Sequence, residues 1–486
     1  MTGGYRERAL SAVKWSVSGD IVEQVVRSAF GIALARLLSP RDFGQLAMLT
    51  VLTQFAALIS DLGFEEALVQ KRHLTEAHQS SVFWARLFVG SALTVGLIAG
   101  APWIAAFYGV EELAPLAVVL SALFVLDAIG TVPRAVVARR LDFRIVAWLQ
   151  CATATLACVC AVALAWLGFG VMSLAADLLV TTALETLLFF GASAWRPRFE
   201  FRLAALGDLL GFSSYRLAGR MLGYSAQLDQ LLVGKFLGSG ALGLYTRAYN
   251  LTRFPILSVS RSIGRVMFPS LALIQQDEGR VREVYLRATG AVALATFPMC
   301  MGLFAAAEPL IIGVLGPQWR ETIPILRILS LAGVVQSIAA LASSLYLSQG
   351  RADLQLRLTG LQRVSTIAAI LIGLQWGVLG LATAYTLAAV FNALPTLYFA
   401  GRLIHLRTTA LLAHIWPVFL ASSVMTAVVL GIDVWTALQL NPIELLGIEI
   451  VAGVLVYWAA LQLFRVAAYF DVIGLLRQRS PSAQEA

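Results

Sequence analysis

Residues 82–108 read VFWARLFVGSALTVGLIAGAPWIAAFY, an apolar stretch of the length that crosses a lipid bilayer. A membrane-spanning helix needs about 20 mainly apolar residues. Lys71 and Arg72 lie before this stretch, whereas residues 109–112 after it read GVEE and contain no basic residue. Because basic residues stay in the cytoplasmic loops of membrane proteins, the stretch is predicted to run from the cytoplasm outward.

The composition of the whole chain also indicates a membrane protein. Of its 486 residues, 59% are apolar and only 13% are charged, and the mean hydropathy is +0.79. The net charge of +8 comes from basic residues at the ends of apolar segments, where they act as cytoplasmic anchors, so no nucleic-acid partner is expected. The Cys and His residues have neither disulfide nor metal-ligand spacing, and we expect no metal and no cofactor.

Apolar stretches of similar length recur and predict an all-α, polytopic membrane protein with about 14 transmembrane helices. They lie near residues 13–38, 43–63, 82–108, 113–135, 144–168, 171–194, 211–237, 240–268, 287–315, 323–349, 355–375, 378–400, 411–432 and 443–464. Loops rich in Arg alternate with loops nearly devoid of it, which predicts that both termini are cytoplasmic.

The sequence also contains an internal repeat. Residues 35–44, ARLLSPRDFG, match residues 234–243, GKFLGSGALG, at an offset of 199, and later segments match in the same order. Each copy holds six spans, so the two copies share one orientation and are related by a pseudo-two-fold axis along the membrane normal. We predict six-helix bundles over residues 1–200 and 201–405, followed by two additional helices and a cytoplasmic tail over 406–486.

These motifs carry a resemblance to a known family. Residues 35–44, 60–64 (SDLGF), 107–109 (FYG) and 234–249 resemble the polysaccharide-biosynthesis flippases, the oligosaccharide-lipid branch of the multidrug/oligosaccharidyl-lipid/polysaccharide exporter superfamily. The resemblance implies two six-helix bundles around a central cavity in the bacterial cytoplasmic (inner) membrane. It implies export of undecaprenyl-diphosphate-linked oligosaccharide repeat units to the outer leaflet for exopolysaccharide, capsule or O-antigen (lipopolysaccharide) synthesis. A polysaccharide polymerase and co-polymerase are the partners it suggests, beside the lipid bilayer.

Charged side chains within the spans are the candidate site, since a charge near the centre of a membrane helix costs roughly 2.5–3.5 kcal/mol. On the first span Asp20, Glu23 and Arg27 share one helix face. A diphosphate–sugar headgroup needs positive charge and hydrogen-bond donors, which Arg supplies in a rigid fork that fits phosphate oxygens. The residues predicted to bind the headgroup lie on the first, seventh and eighth spans: Arg27, Arg216, Arg220, Gln227, Asn250 and Arg253.

Two other interpretations of these charges stay open. In the first, Glu23 and Arg27, four residues apart, only neutralise each other, and Arg216 is a topology anchor at the cytoplasmic mouth. In the second, Asp20, Glu23 and Asp229 bind a coupling cation or proton, as intramembrane carboxylates often do. The mixture of both signs of charge favours an anionic substrate over the second interpretation.

Isolated acids in or near other spans are interpreted as buried hydrogen-bond partners rather than as ligands. These acids are Asp127, Asp177, Glu185, Glu308 and Glu449.

Three classes of function remain after the sequence is read. The first is the lipid-linked oligosaccharide flippase, the second a cation-coupled small-molecule antiporter of the multidrug type, and the third a membrane glycan polymerase or ligase. An enzyme of the third class needs catalytic groups on sizeable outer loops, whereas the outward loops here, such as residues 39–42, are very short. No P-loop or HExxH motif is present either. We therefore expect a transporter rather than an enzyme.

Overall fold

Helices make up most of the described part of the chain, and no strand occurs there. The computed structural model of the protein describes residues 3–61, 63–71, 73–140, 143–209, 228–436 and 440–478. The chain forms two compact units, Met1–Gly243 and Leu244–Ala486.

The N-terminal unit is built from long helices that pack side by side. Its helices are Gly3–Leu37 (α1), Pro40–Asp61 (α2), Phe64–Gln70 (α3), Glu76–Tyr108 (α4), Leu113–Arg139 (α5), Phe143–Trp166 (α6) and Val171–Ser193 (α7). Helix α4 packs along α5, α1 packs along α6, and α5 and α6 both pack along α7. The next helix, Leu228–Leu273 (α8), has non-helical backbone angles at Gly238, where φ is 84°.

The C-terminal unit continues with shorter elements between long helices. Its further helices are Glu278–Ala305 (α9), Ala307–Leu310 (α10), Thr322–Ala339 (α11), Ala342–Ser348 (α12), Ala352–Gly373 (α13), Gly377–Leu403 (α14), Thr408–Thr436 (α15), Pro442–Leu463 (α16) and Ala467–Gln478 (α17). Helix α9 packs against α11 and α15, α14 packs against α11 and α13, and α15 packs along α16. The Tyr457 hydroxyl of α16 donates to the carbonyl of Leu294 at 2.8 Å, so the last two long helices belong to this unit.

Nine segments of the described chain are long and apolar enough to cross a membrane. The prediction of an all-α, multi-pass membrane protein is therefore confirmed, while the number of about 14 spans stays a prediction. The predicted span near 211–237 lies largely outside the described residues. One of the nine apolar segments, Ala352–Leu403, contains two helices, α13 and α14.

The segment that follows α7 is held against α3 and α4. The Trp84 indole N–H donates to the carbonyl of Arg198 at 2.7 Å, and its ring stacks on Phe199 with 5.1 Å between the ring centroids. Leu206 and Leu209 are buried in the apolar cluster of α3 and α4. These contacts give a physical reason why the N-terminal unit continues past residue 200, where the predicted bundle ends.

Two glycines of the repeated motif bring its two copies into close contact. A Cβ atom on Gly44 would lie 1.7 Å from the carbonyl oxygen of Ser239, and one on Gly243 would lie 1.8 Å from that of Pro40. The two contacts are related by the same offset of 199 that relates the two copies in the sequence. Since any side chain would occupy the space of a backbone oxygen, only glycine permits this approach.

Replacing Gly44 by Ala is expected to push the two copies apart, because the added methyl group has no room. A cysteine introduced at Ser239, which is 7% exposed, should then react faster with a water-soluble maleimide in a background without the native cysteines. The matched control is Gly240→Ala, since nothing lies within 4 Å of a Cβ atom built there. The close contact would be contradicted if the cysteine at 239 were labelled equally slowly alone, with Gly44→Ala and with Gly240→Ala.

Asp208 links residues 203–209 to Lys71 and to His78 at the beginning of α4. Its carboxylate accepts a hydrogen bond from Lys71 Nζ at 3.0 Å and lies 3.4 Å from His78 Nε2. Hydrogen bonds from Lys71 and then from His78 lower the pKa of Asp208 below its ordinary value. A carboxyl with a lowered pKa stabilises the fold above its ordinary pKa, and this contribution is lost as the pH falls through the lowered value.

We therefore expect residues 195–209 to be protected from amide hydrogen exchange at neutral pH and to lose protection below about pH 4. Exchange should be measured by mass spectrometry on the detergent-solubilised protein and corrected for the intrinsic effect of pH. In Asp208→Asn the protection should already be reduced at pH 7. Protection in the unsubstituted protein that is identical at pH 3 and pH 7 would refute this role of Asp208.

Candidate functional site

The charges of the first span form an ion pair on α1. Arg27 Nε donates to Glu23 Oε1 at 2.7 Å, and 32% of the Arg27 side chain stays exposed. Arg27 also interacts electrostatically with Asp177 on α7. The structure thus joins a predicted headgroup ligand to a predicted coupling residue, and the Arg27 charge is partly neutralised within the chain.

Arg253 on α8 lies in a different environment. Its guanidinium carbon is 5.3 Å from the ring centroid of Tyr249, and among the described residues no carboxylate forms an ion pair with it. The Tyr249 ring contacts Tyr385 edge to face at 5.8 Å. Asn250, the other residue predicted on this helix, is exposed. Arg253 is therefore a cation held by an aromatic face, which leaves its five N–H donors for other partners.

Only part of the predicted site falls within the described residues. Arg216, Arg220 and Gln227 lie outside the described residues, and so does the side chain of Asp20. Asp229, at the beginning of α8, is 5% exposed, and its Oδ1 accepts the backbone N–H of Gln230 at 2.8 Å.

Two further arginines of the N-terminal unit share one carboxylate. Arg86 on α4, which is 2% exposed, donates from Nη2 to Asp127 Oδ2 at 2.6 Å. Asp127 and Arg134 both lie on α5, about two helix turns apart. Arg134 Nη2 donates to Asp127 Oδ1 at 2.6 Å. Arg86 also donates to the hydroxyls of Ser60 at 2.6 Å and Thr131 at 3.2 Å. The network ties α2, α4 and α5 together.

Asp127 borders a cavity of about 190 Å³ in this unit, which Thr53, Gln54, Ser60 and Thr182 also line. Both oxygens of its carboxylate accept from guanidinium groups. The wall of this cavity is therefore polar, but its charges are already paired.

The C-terminal unit contains a polar cavity of about 260 Å³ between α11, α12, α13 and α14. Side-chain amides on its wall are held by hydrogen bonds, such as that from Gln362 Nε2 to Thr396 Oγ1 at 2.7 Å. Asn392 accepts from the Ser365 hydroxyl at 2.7 Å. Arg363 also lines the cavity, and its Nε is shielded from solvent without a hydrogen-bond partner in the described chain.

A second cavity of this unit is apolar and larger, at about 570 Å³. It lies between α8, α9, α15 and α16 and is lined by side chains such as Phe254, Met299 and Val454. Its surface is suited to a hydrocarbon chain, because apolar surface gains free energy when it leaves water.

The isolated acids differ in their surroundings. Asp127 is a hydrogen-bond partner, as the sequence predicted, and Glu308 pairs with Arg320 at 3.6 Å. For Glu449 the prediction is wrong. It is 1% exposed in the wall of the apolar cavity, and neither carboxylate oxygen has a hydrogen-bond partner in the described chain. The apolar side chains of that wall supply no donor.

Three functional candidates escaped the sequence analysis: Arg86, Arg134 and Arg363. The available signal was an Arg inside an apolar stretch, which is costly wherever it occurs. Their different roles depend on neighbours that are distant in sequence, so the local pattern does not separate them.

Arg86→Leu is expected to destabilise the protein by about 2 kcal/mol, because it removes the charge-assisted hydrogen bonds of a buried guanidinium to Ser60 and Thr131 and one of the two cations of the half-exposed Asp127. The unfolding midpoint in mixed micelles measures this change. The matched control is Arg357→Leu, which removes the same charge from an exposed position on α13 and should leave the midpoint nearly unchanged. A midpoint for R86L equal to that of the control would show that the Asp127 network does not support the fold.

The chain is similar to several proteins named for glycan synthesis or transport. It is 27% identical over 462 residues to the teichuronic acid biosynthesis protein TuaB of Bacillus subtilis (strain 168), covering 93% of this chain and 94% of TuaB. It is 27% identical over 393 residues to the lipopolysaccharide biosynthesis protein WzxC of Escherichia coli (strain K12), covering 80% of each chain. It is 32% identical over 300 residues to the succinoglycan biosynthesis transport protein ExoT of Rhizobium meliloti (strain 1021), covering 62% of this chain and 61% of ExoT.

Solved structures with the same fold are transporters. The lipid II flippase MurJ in an inward closed conformation superposes with a TM-score of 0.74 at 17% identity, covering 94% of this chain and 100% of that one. An inward-facing multidrug resistance transporter of the MATE family gives a TM-score of 0.63 at 15% identity, covering 79% of this chain and 98% of that one. At these identities the similarity shows the fold. Residues 33–324 match the model of a family described as polysaccharide biosynthesis protein, and the chain belongs to that family.

Proposed function

We propose that this protein is a flippase that moves undecaprenyl-diphosphate-linked oligosaccharide repeat units from the cytoplasmic to the outer leaflet of the bacterial cytoplasmic membrane. Relatives named for lipopolysaccharide biosynthesis and succinoglycan transport support the class of cargo. The fold shared with a lipid II flippase supports the type of movement. The product would feed exopolysaccharide, capsule or O-antigen synthesis, with a polymerase and co-polymerase acting on the flipped units.

The observation that carries the proposal is the pairing of a polar, cationic region with an apolar cavity in the C-terminal unit. Arg253 and Arg363 are arginines without a carboxylate partner among the described residues. Such cations suit a diphosphate or another anionic group of a lipid headgroup, since guanidinium forms paired hydrogen bonds with oxyanions. The apolar cavity of about 570 Å³ offers a place for part of a polyprenyl chain. A substrate with both a charged sugar end and a hydrocarbon tail needs both surfaces.

The headgroup ligands of the proposal are Arg27, Arg216, Arg220, Gln227, Asn250 and Arg253. Two uncompensated charges that move outward are assisted by the inside-negative potential, by about 2.3 kcal/mol per charge per 100 mV. The potential alone therefore supplies a sufficient driving force in this proposal.

The reciprocal contact of the two motif copies supports a pseudo-two-fold relation between two six-helix bundles. In that arrangement Gly44 and Gly243 lie at the outer ends of their spans, and both termini are cytoplasmic. Opening of this contact would give the cavity access to the outer leaflet.

A cation-coupled antiporter is the second candidate, favoured by the fold shared with a MATE transporter. Asp20, Glu23 and Asp229 would then bind the coupling ion. The ion pair of Glu23 with Arg27 at 2.7 Å would have to open in either function, to free Glu23 for an ion or Arg27 for a headgroup.

Deletion of the gene should abolish the cell-surface polymer and leave drug resistance unchanged, and a plasmid copy should restore the polymer. A copy with Arg253→Ala should restore at least tenfold less, because a charge-assisted hydrogen bond contributes about 1.5–3 kcal/mol. Arg357→Ala, an exposed Arg of the same unit, should restore the polymer fully. Normal polymer with new drug sensitivity in the deletion strain would reject the flippase in favour of the antiporter.

A further inference from the structure

We propose that the polar cavity around Arg363 is a binding site for an oxyanion of the transported headgroup together with the hydroxyls beside that oxyanion. The inference rests on the proposed function and deepens it, because it selects lipid-linked glycans with an anionic group that reaches α13. The oxyanion is either the carboxylate of an acidic sugar or the diphosphate that joins the glycan to its lipid.

Arg363 is a cation on a long helix of the C-terminal unit. It lies at the middle of α13, which spans Ala352–Gly373, within an apolar segment long enough to cross a membrane. A cation at such a depth costs roughly 2.5–3.5 kcal/mol on insertion scales. Arg363 therefore destabilises the protein in the membrane unless an anion or polar group at its site compensates the charge.

In the described part of the chain, no carboxylate compensates this charge. By contrast, Arg27 on α1 and Arg86 on α4 each have a carboxylate oxygen at 2.6–2.7 Å. No ion pair joins Arg363 to a described carboxylate, and its Nε is shielded from solvent without a hydrogen-bond partner in the described chain. An anion that enters the cavity would supply the missing acceptor.

The wall of the cavity has the chemistry that sugar hydroxyls require. Side-chain amides and hydroxyls offer both donors and acceptors, whereas the residues that line the cavity include no Asp or Glu to repel an anion. Gln362 donates to Thr396 at 2.7 Å, and Asn392 lies 3.4 Å from the Thr366 hydroxyl. These bonds fix the amides in place before a ligand arrives, which reduces the entropy lost on binding.

The size of the cavity limits what it holds. Its volume of about 260 Å³ is close to the lower end of the range of roughly 300–1,000 Å³ for small-molecule sites. A single sugar ring or a phosphate group with its neighbours matches this volume better than a whole oligosaccharide does.

A chain of contacts joins this cavity to Arg253. Gln336 lines the cavity and donates to the Tyr385 hydroxyl at 3.0 Å. Tyr385 meets Tyr249 edge to face, and Arg253 lies over the Tyr249 ring. A relay of three side chains, Gln336, Tyr385 and Tyr249, therefore links the polar cavity to Arg253.

The test uses the purified full-length protein and two synthetic polyprenyl-diphosphate saccharides that differ only in whether the sugar is a uronate or a neutral hexose. Binding is compared for the unsubstituted protein, Arg363→Gln, Arg363→Lys and the control Arg357→Gln, an exposed position on the same helix. R363Q should weaken binding of the uronate probe about tenfold, since it removes a charge-assisted hydrogen bond. R363K should weaken it less, and R357Q should bind as the unsubstituted protein does.

The neutral probe separates the two sources of the oxyanion. If R363Q loses affinity for the uronate probe alone, the oxyanion is the sugar carboxylate; if it loses affinity for both probes, the oxyanion is the diphosphate. Unchanged affinity of folded R363Q for both probes overturns the inference and leaves the proposed flippase intact. If the unsubstituted protein binds neither probe, the proposed function fails, and this inference fails with it.

A measurement on the unsubstituted protein keeps the test decisive if R363Q does not fold. Free uronate or inorganic pyrophosphate should compete with the bound probe, and the effective competitor identifies the same source as the variants do. Failure of both competitors at concentrations far above that of the probe would overturn the inference.

Discussion

A guanidinium group inside a membrane protein must meet a carboxylate, an aromatic face or a polar cavity, and this constraint organises the interior of the chain. The loss of hydration is too costly to leave such a group among hydrocarbon. Arg86 and Arg134 meet the constraint through Asp127, with contacts of 2.6 Å on both carboxylate oxygens. Arg253 and Arg363 meet it through an aromatic face and through amide-lined polar space. The first solution pairs the charges within the described chain, and the second is the basis of the proposed headgroup site.

The two compact units thus use intramembrane charge in different ways. In the N-terminal unit Asp127 is close enough to Arg86 and Arg134 for the charges to neutralise each other. The carboxylate that lines its polar cavity is therefore already paired. In the C-terminal unit the polar cavity has amides and one cation, Arg363, that forms no ion pair with a described carboxylate, and an apolar cavity lies in the same unit. An amphiphilic substrate is better matched by the C-terminal unit than by the N-terminal one.

Backbone contacts add a second constraint. Gly44 and Gly243 allow two copies of one motif to approach until their backbones touch, and Trp84 holds the segment after α7 through Arg198 and Phe199. Both features limit movement of the segments that connect the long helices. In a transporter these are the places where a conformational change must begin or be resisted.

The sequence by itself determined the helical membrane architecture and the family, because apolar length and motif spacing are local properties. It offered the Glu23–Arg27 pair as one of two interpretations, from their i, i+4 spacing, and the structure decided for the pair. The sequence also marked Gly44 and Gly243 as equivalent positions. Only the tertiary structure decided that Asp127 serves Arg86, 41 residues away in the sequence, and that Glu449 has no donor among the described residues. Whether an intramembrane charge is paired depends on which helices pack together, and hydropathy alone carries no information about that choice.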